Sequence, residues 1–201
     1  KIYRRSIKLI NKFSIFILNN ILLIILIIFI SPLIFLVSIF SLFLDRHNPF
    51  YIETRAGLYG KPFKIIKIKT MKFSQVDNKK IVTKFGKYLR KTKIDELPQI
   101  LNIFFGHMNF IGPRPLYTEY FSKYSKYEKL RLIVKPGITG LAQINVIDSE
   151  NWRSKFKYDI FYVTHKSFTF DLYIVCKTFK LYFELLTGKK QLKESHKKYK
   201  E

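Results

Sequence analysis

The chain opens on an apolar run of unusual length. Residues 13–44 carry no charged side chain, and only Ser14, Asn19, Asn20, Ser31, Ser38 and Ser41 interrupt its apolar character, with Pro32 as a breaker. A straight helix of that length would measure about 48 Å at 1.5 Å per residue. A bilayer's hydrocarbon core is only about 30 Å thick. Pro32 removes a backbone donor and crowds the preceding turn, so a bend is expected at Ser31-Pro32, with the Ser31 hydroxyl free to satisfy a released carbonyl. Two arrangements follow: one tilted, kinked span, or a re-entrant hairpin that enters and leaves on the same face. Lys1, Arg4, Arg5, Lys8 and Lys12 precede the run, while Arg46 and a strongly basic region follow it. Positive charge stays on the cytoplasmic side, and both flanks are positive, which favours the re-entrant form. The run is too long for a secretory signal, and no small-residue cleavage site follows it.

Beyond it the periodicity changes. Between Pro49 and Met71 apolar and basic residues alternate, most regularly in Phe63-Lys64-Ile65-Ile66-Lys67-Ile68-Lys69, so strands joined by a turn at Gly57–Pro62 are expected. Residues 79–91 read as a short basic helix. Thr92-Lys93-Ile94-Asp95 resembles a helix start, Pro98 suits a first turn, and Gly106 would end a helix over 96–105. Residues 116–131 read as a Tyr-rich amphipathic helix and 150–165 as another. Residues 168–187 are apolar with interspersed lysines, suited equally to a core or to lying on a membrane. The lysine-rich end after Gly188 reads as a mobile basic tail.

Composition sharpens the picture. The chain has 201 residues and a net charge of +23. Such a charge calls for an anionic partner: nucleic acid, an anionic membrane or a phosphorylated substrate. No nucleic-acid-binding motif accompanies it, and the long apolar run argues against a soluble DNA binder. Cys176 is the single cysteine, so no internal disulfide forms, and a small buried hydrophobe is the simplest role for it. The four histidines are scattered without zinc spacing. Gly60-Lys61-Pro62 lacks the glycine spacing and Ser/Thr of a phosphate-binding P-loop, and no Gly-x-Ser-x-Gly elbow occurs.

The chemistry concentrates in residues 92–116. Asp95 and Glu96 are adjacent carboxylates in a basic setting, and Arg114 is held between Pro113 and Pro115. Taken alone, Asp95 is an ordinary helix cap and Arg114 a rigid turn with an exposed arginine. In context, Arg55, Lys61, Lys64, Lys67, Lys69, Arg90 and Arg114 could surround a phosphate. A bare carboxylate beside that phosphate calls for a screening cation such as Mg²⁺. An arginine with its backbone fixed on both sides is a pre-oriented fork for phosphate.

These stretches together resemble the bacterial sugar transferases, the monotopic phosphoglycosyl transferases. The resemblance covers about residues 13–185. It rests on Ser31-Pro32, Arg55-Ala56-Gly57 followed by Lys67-Ile68-Lys69-Thr70-Met71, Gly86-Lys87-Tyr88-Leu89-Arg90-Lys91, Asp95-Glu96-Leu97-Pro98-Gln99, Gly112-Pro113-Arg114-Pro115, Lys135 to Asn145, and Tyr158-Asp159 with Tyr162. It implies an α+β, mostly helical chain. Residues 1–46 would form a re-entrant, helix-break-helix membrane hairpin. Residues 47–188 would form a small cytoplasmic catalytic domain with interfacial amphipathic helices and a short β-hairpin, and 189–201 a flexible basic tail.

The implied reaction moves a sugar-1-phosphate from a UDP-sugar to polyprenyl phosphate at the bacterial inner membrane, with Mg²⁺, releasing UMP. Asp95 would be the nucleophile, forming a covalent phosphosugar intermediate, and would also contact Mg²⁺. Glu96 would help deprotonate or position the acceptor. Arg55, Lys69, Arg90, Pro113, Arg114, Pro115 and Gln143 would bind substrate, and Ser31 and Pro32 would form the membrane bend. Inner-membrane lipids would surround the anchor, nucleic acid is not a partner, and homodimerisation is left open. The chain departs from the family pattern where Val146-Ile147 stand for a common Gly-Arg, Leu141 for a frequent Trp, Asn19 for a frequent Asp and Ile68 for a frequent aromatic. The Val146-Ile147 change leaves the sugar undetermined. A phosphatase of lipid-linked phosphates and a non-enzymatic basic anchor are the alternatives.

Overall fold

The apolar run folds as α1 (Ile2–Asp45), 44 residues long, with Pro32 inside it. The computed structural model describes residues 2–73, 79–146, 151–189 and Tyr199, with side chains from residue 20 onward. The helical path continues through Ser31-Pro32, so the expected break is not an interruption of the helix. The local reason is visible. Pro32 cannot donate to the Ile28 carbonyl, and the Ser31 hydroxyl donates to that same oxygen at 3.0 Å. The segment Asn20–Asp45 is long and apolar enough to cross a membrane. Most of it faces outward, with Phe29 78% exposed, while Ile34 and Val37 near its C-terminal end pack on Ile68, Phe85, Leu89 and Ile94.

The alternation after Pro49 forms the expected hairpin. β1 (Phe50–Ala56) pairs antiparallel with β2 (Pro62–Ile68), in register from Phe50↔Ile68 to Ala56↔Pro62. Period two places Phe63 and Ile65 on the buried side. Lys67 continues that side, and so a lysine is carried inward, its side chain only 15% exposed.

A second hairpin, β3 (Met71–Phe73) with β4 (Lys80–Val82), precedes α2 (Lys84–Thr92). The helix expected over 79–91 therefore begins later. Thr83, in an extended conformation, caps it by accepting from the Gly86 N–H, and residues before that cap pair as a strand. Gly86 also lies against the Thr70 carbonyl, where a Cβ would approach to 2.3 Å. α2 ends at Lys93, in the left-handed region at φ 59°. One 3₁₀ turn, Ile94–Glu96, and α3 (Gln99–Phe104) follow, with Gly106 at φ +75° ending the segment as expected.

The single helix expected over 116–131 is instead three short pieces: a 3₁₀ turn (Thr118–Lys123), α4 (Lys126–Lys129) and a second 3₁₀ turn (Leu130–Ile133). Ser125 and Glu128 form a capping box, and its extended Ser125 backbone cannot continue a helix from the preceding residues. β5 (Asn109–Ile111) pairs in parallel with β6 (Gly137–Thr139). Three helices close the described chain: α5 (Leu141–Asn145), α6 (Trp152–His165) and α7 (Phe168–Leu186). The fold is thus mostly helical with three two-stranded sheets.

An aromatic cluster of Tyr120, Tyr124 and Phe156 packs with Ala56 and Leu132, and a second core joins Leu141, Tyr162 and Ile174. α7 does two things at once. It buries Ile174, Leu181 and Leu185, while Phe168, Phe179 and Phe183 stand 83%, 72% and 63% exposed. Cys176, expected to be buried, is exposed, because it falls on the outer side of that helix. Apart from Lys189 and Tyr199, the expected tail lies outside the described residues.

Candidate active site

The 3₁₀ turn Ile94–Glu96 carries both carboxylates into a cavity of about 1310 Å³. Each is buried, Asp95 to 8% exposure and Glu96 to 7%. Burying two adjacent carboxylates is costly unless cations compensate them. The compensation is one-sided. Arg114 donates to Glu96 through both terminal nitrogens, at 2.8 and 3.3 Å, and Lys93 and Lys67 approach the same carboxylate at 3.9 and 4.0 Å. Asp95 Oδ1 is buried with no hydrogen-bond partner among the described residues.

The protonation equilibria follow. Burial and the neighbouring Glu96 charge push Asp95 up to about 6. Burial alone would raise Glu96 too, but Arg114, Lys67 and Lys93 hold it well below the usual carboxylate range. Burial and the Arg114 charge bring Lys67 down to about 8. Tyr182 of α7 faces the same carboxylates from across the cavity, and burial together with the Glu96 charge pushes its phenol up to about 12.

Arg114 is placed by backbone packing behind it. The Gly112 N–H donates to the Thr139 carbonyl at 2.9 Å, and the Gly137 N–H donates to the Pro113 carbonyl at 3.1 Å. The strands approach so closely that a Cβ on Gly137 would lie 2.1 Å from the Gly112 nitrogen. The two proline-bounded loops of the sequence are therefore one structure, β5 and β6 side by side. Arg131 adds a clamp: it donates to the Arg114 carbonyl at 2.6 Å while its Nε donates to Asp159 at 2.9 Å, both side chains buried.

The remaining candidates separate. Lys69, Arg90 and Gln143 line the cavity. Arg90 Nε donates to the Thr70 hydroxyl at 2.9 Å, and Gln143 donates to the Ile138 carbonyl at 2.8 Å, with its Oε1 buried and without a partner among the described residues. Arg55 also borders the cavity, but its guanidinium pairs with Glu53 and lies 3.6 Å from the centre of the Tyr117 ring. Pro113 and Pro115 brace Arg114 from behind the cavity, and the Pro115 carbonyl accepts from Arg55 at 3.5 Å. Ser31 and Pro32 lie on α1, outside the cavity.

Lys93, Glu53, Tyr182 and the Arg131–Asp159 pair were not singled out from the sequence as parts of the site. Asp159 stood in a matching motif, but nothing local marks Tyr182 or Arg131, which reach the site from other elements. Among the described residues no group of three or more His, Cys, Asp or Glu side chains could form a metal cage. The free Asp95 oxygen suits a hard cation that takes its other ligands from phosphate oxygens and water.

The site is thus a buried carboxylate pair with a bidentate arginine in a cation-rich cavity. The family model described as bacterial sugar transferase matches residues 10–185, and the chain belongs to that family. It is 43% identical over 135 residues to a Bacillus subtilis (strain 168) protein named uncharacterized sugar transferase EpsL, covering 64% of this chain and 67% of that protein. A Klebsiella pneumoniae protein named UDP-glucose:undecaprenyl-phosphate glucose-1-phosphate transferase is 36% identical over 167 residues, covering 75% of this chain and 36% of the relative. The exopolysaccharide production protein ExoY of Rhizobium meliloti (strain 1021) is 33% identical over 171 residues, 74% of this chain and 76% of that protein. The chain thus spans about a third of the length of the glucose-1-phosphate transferases it matches and most of the shorter relatives.

Proposed function

We propose that this chain is a phosphoglycosyl transferase. It moves a sugar-1-phosphate from a UDP-sugar to polyprenyl phosphate, giving polyprenyl-diphospho-sugar and UMP. The observation that carries the reading is the asymmetry of the dyad: Glu96 is fully engaged by Arg114, and Asp95, next to it and buried, keeps a free oxygen.

In the first step an Asp95 carboxylate oxygen attacks the β-phosphorus of the donor. The bond between that phosphorus and the bridging oxygen breaks, and UMP leaves with the electron pair. The sugar phosphate is then held as an acyl phosphate on Asp95. In the second step a phosphate oxygen of the lipid attacks the same phosphorus, and the Asp95 carboxylate departs unchanged. Mg²⁺ bound at Asp95 and the diphosphate would neutralise charge on the phosphoryl oxygens. Arg114 and Lys67 present fixed positive charge to those oxygens. Glu96 is held so far below the usual carboxylate range that it is a poor proton acceptor at neutral pH, which favours a positioning role for it. Val146, in place of the family's glycine, borders the cavity, so the sugar is to be found by assay.

We also infer that α1 is a re-entrant anchor in the bacterial inner membrane, bent at Ser31-Pro32, with the catalytic domain on the cytoplasmic face. The positive flanks and the exposed apolar surface of α7 support this placement. A tag at residue 1 that could be labelled only from the outer face would contradict the re-entrant form.

The deciding assay is UMP release by nanodisc-held protein with Mg²⁺, polyprenyl phosphate and a panel of UDP-sugars, with Asp95→Asn as control. Release with one sugar, absent from the control, establishes the reaction and names the donor. Silence from a folded wild-type protein across the panel rejects the proposal.

A further inference from the structure

The last helix turns one face to the cavity. Leu181, Tyr182 and Leu185 of α7 line it, as does Gly188 just beyond the helix. Of these four, only Tyr182 carries a polar side chain. Its ring is half-buried, and within the described residues its hydroxyl forms no hydrogen bond. The phenol acts on the dyad nonetheless: after burial, the Glu96 charge does most to push it up to about 12, and Asp95 adds to the shift. Tyr182 therefore keeps its proton at neutral pH and is a donor without charge. The other donors acting on the dyad, Arg114, Lys67 and Lys93, are all cations.

The position of Tyr182 is fixed by the turns before it. Near the start of α7, Asp171 accepts from the Tyr162 hydroxyl at 2.8 Å, and Ile174 is fully buried. One turn before Tyr182, the hydroxyls of Thr178 and Thr139 are hydrogen-bonded at 2.8 Å. Thr139 belongs to β6, and its carbonyl accepts from the Gly112 N–H, beside the loop that carries Arg114. One strand thus sets both the Arg114 loop and the register of α7. The guanidinium and the phenol are placed on the dyad by the same rigid element, which is what a preorganised site needs.

We propose that Tyr182 is a further catalytic residue: its hydroxyl donates a hydrogen bond to a non-bridging oxygen of the phosphoryl group in transfer. This rests on the transfer reading above. The attacking and leaving oxygens change between the two displacements, but the non-bridging oxygens stay on the phosphorus throughout. One donor aimed at such an oxygen serves both the formation and the discharge of the Asp95 intermediate. No proton is transferred, and no covalent bond of Tyr182 is made or broken. A neutral donor orients the group for in-line attack without adding to the positive field that retains the departing UMP.

The test compares Tyr182→Phe with wild type and with Tyr173→Phe, which removes a hydroxyl from an exposed position of the same helix outside the cavity. The full chain is held in nanodiscs with Mg²⁺ and the UDP-sugar that proves active. The first step is read as the burst of UMP from donor alone. The second is read as discharge of the loaded protein by polyprenyl phosphate. Expected in Tyr182→Phe is a fall of about tenfold in the rate of both steps at saturating substrate, as for loss of one neutral hydrogen bond. The donor concentration giving half the maximal burst rate stays within about twofold of wild type, for the same reason that only the reacting group is touched. Burst amplitude is unchanged, which shows the variant is folded. Unchanged rates would overturn the proposal. So would a raised half-saturating donor concentration with the maximal rate intact, which would assign the phenol to ground-state binding of sugar or nucleotide. Lost amplitude, or equal slowing in Tyr173→Phe, would make the hydroxyl structural and also overturn it. Absence of UMP release from the wild type would instead reject the transfer reading itself.

Discussion

Arg114 holds Glu96 with both terminal nitrogens, at 2.8 and 3.3 Å, while Asp95, the adjacent residue in the chain, has no partner for its buried Oδ1 among the described residues. One carboxylate is thereby made a fixed anion, while the other keeps an oxygen with no hydrogen-bond partner among the described residues.

The fork geometry of that grip is testable with Arg114→Lys, which keeps the charge but cannot bridge both Glu96 oxygens. We expect kcat to fall about 10²-fold or more with the fold intact, as for loss of one oriented donor to a developing anion. Steady-state kinetics against circular dichroism checks both parts.

Asp95 has a folded-state pKa of about 6, raised from 3.8 by burial and by Glu96. A raised carboxylate pKa means that the folded protein is favoured while Asp95 is protonated, and that this advantage is lost as pH rises through about 6. Above that pH the buried charge costs about 3 kcal/mol. Asp95→Asn removes it, so in chelator-treated buffer at pH 8 the inactive variant should melt higher than wild type, and the difference should shrink by pH 5. Thermal unfolding at the two pH values decides this. An equal or lower Tm for the variant at pH 8 would contradict the account of the site.

Lys67 is brought down to about 8 by burial and by Arg114. It is charged at neutral pH and loses that charge as pH rises through about 8, which leaves the phosphoryl oxygens with one cation fewer. Activity should therefore decline on an alkaline limb near pH 8. Lys67→Met should lower activity and abolish that limb, whereas Lys67→Arg should move it to higher pH. A pH–rate profile of UMP release reads both.

Gly137→Ala would place a Cβ 2.1 Å from the Gly112 nitrogen, inside the β5–β6 contact that orients Arg114. The neighbour is backbone and cannot swing aside, so we expect a loss of about 2–4 kcal/mol. Gly188→Ala, with no atom within 4 Å of its Cβ, makes no such clash, although its φ of +75° still disfavours alanine. Comparing the two melting temperatures tests whether close approach of backbone is what requires glycine at 137.

Local patterns determined a good deal. The apolar run set α1, because a backbone withdrawn from water must satisfy its own hydrogen bonds, and a single long apolar segment does so as a helix. Alternation set the β1–β2 register and, by the same period, turned Lys67 inward behind Phe63 and Ile65. Gly106 and Pro98 bounded α3, and the order of the motifs pointed to the family that the comparison then established. The Tyr-rich stretch misled, since amphipathic spacing outweighed the Ser125–Glu128 capping box that restarts the helix.

What the sequence could not show is which charge faces which. Asp95 and Glu96 are equivalent as neighbours in a chain. They differ because β5 packs against β6 and delivers Arg114 to one of them, with Arg131 and Asp159 clamping it from behind. Tyr182 joins the site from the last helix, and Arg55, one basic residue among many in the sequence, is turned away from phosphate by Glu53 and Tyr117. Charge interactions fall off with distance in space and depend on burial, neither of which is encoded in spacing along the chain. Tertiary packing alone therefore decided which carboxylate is held and which is left free.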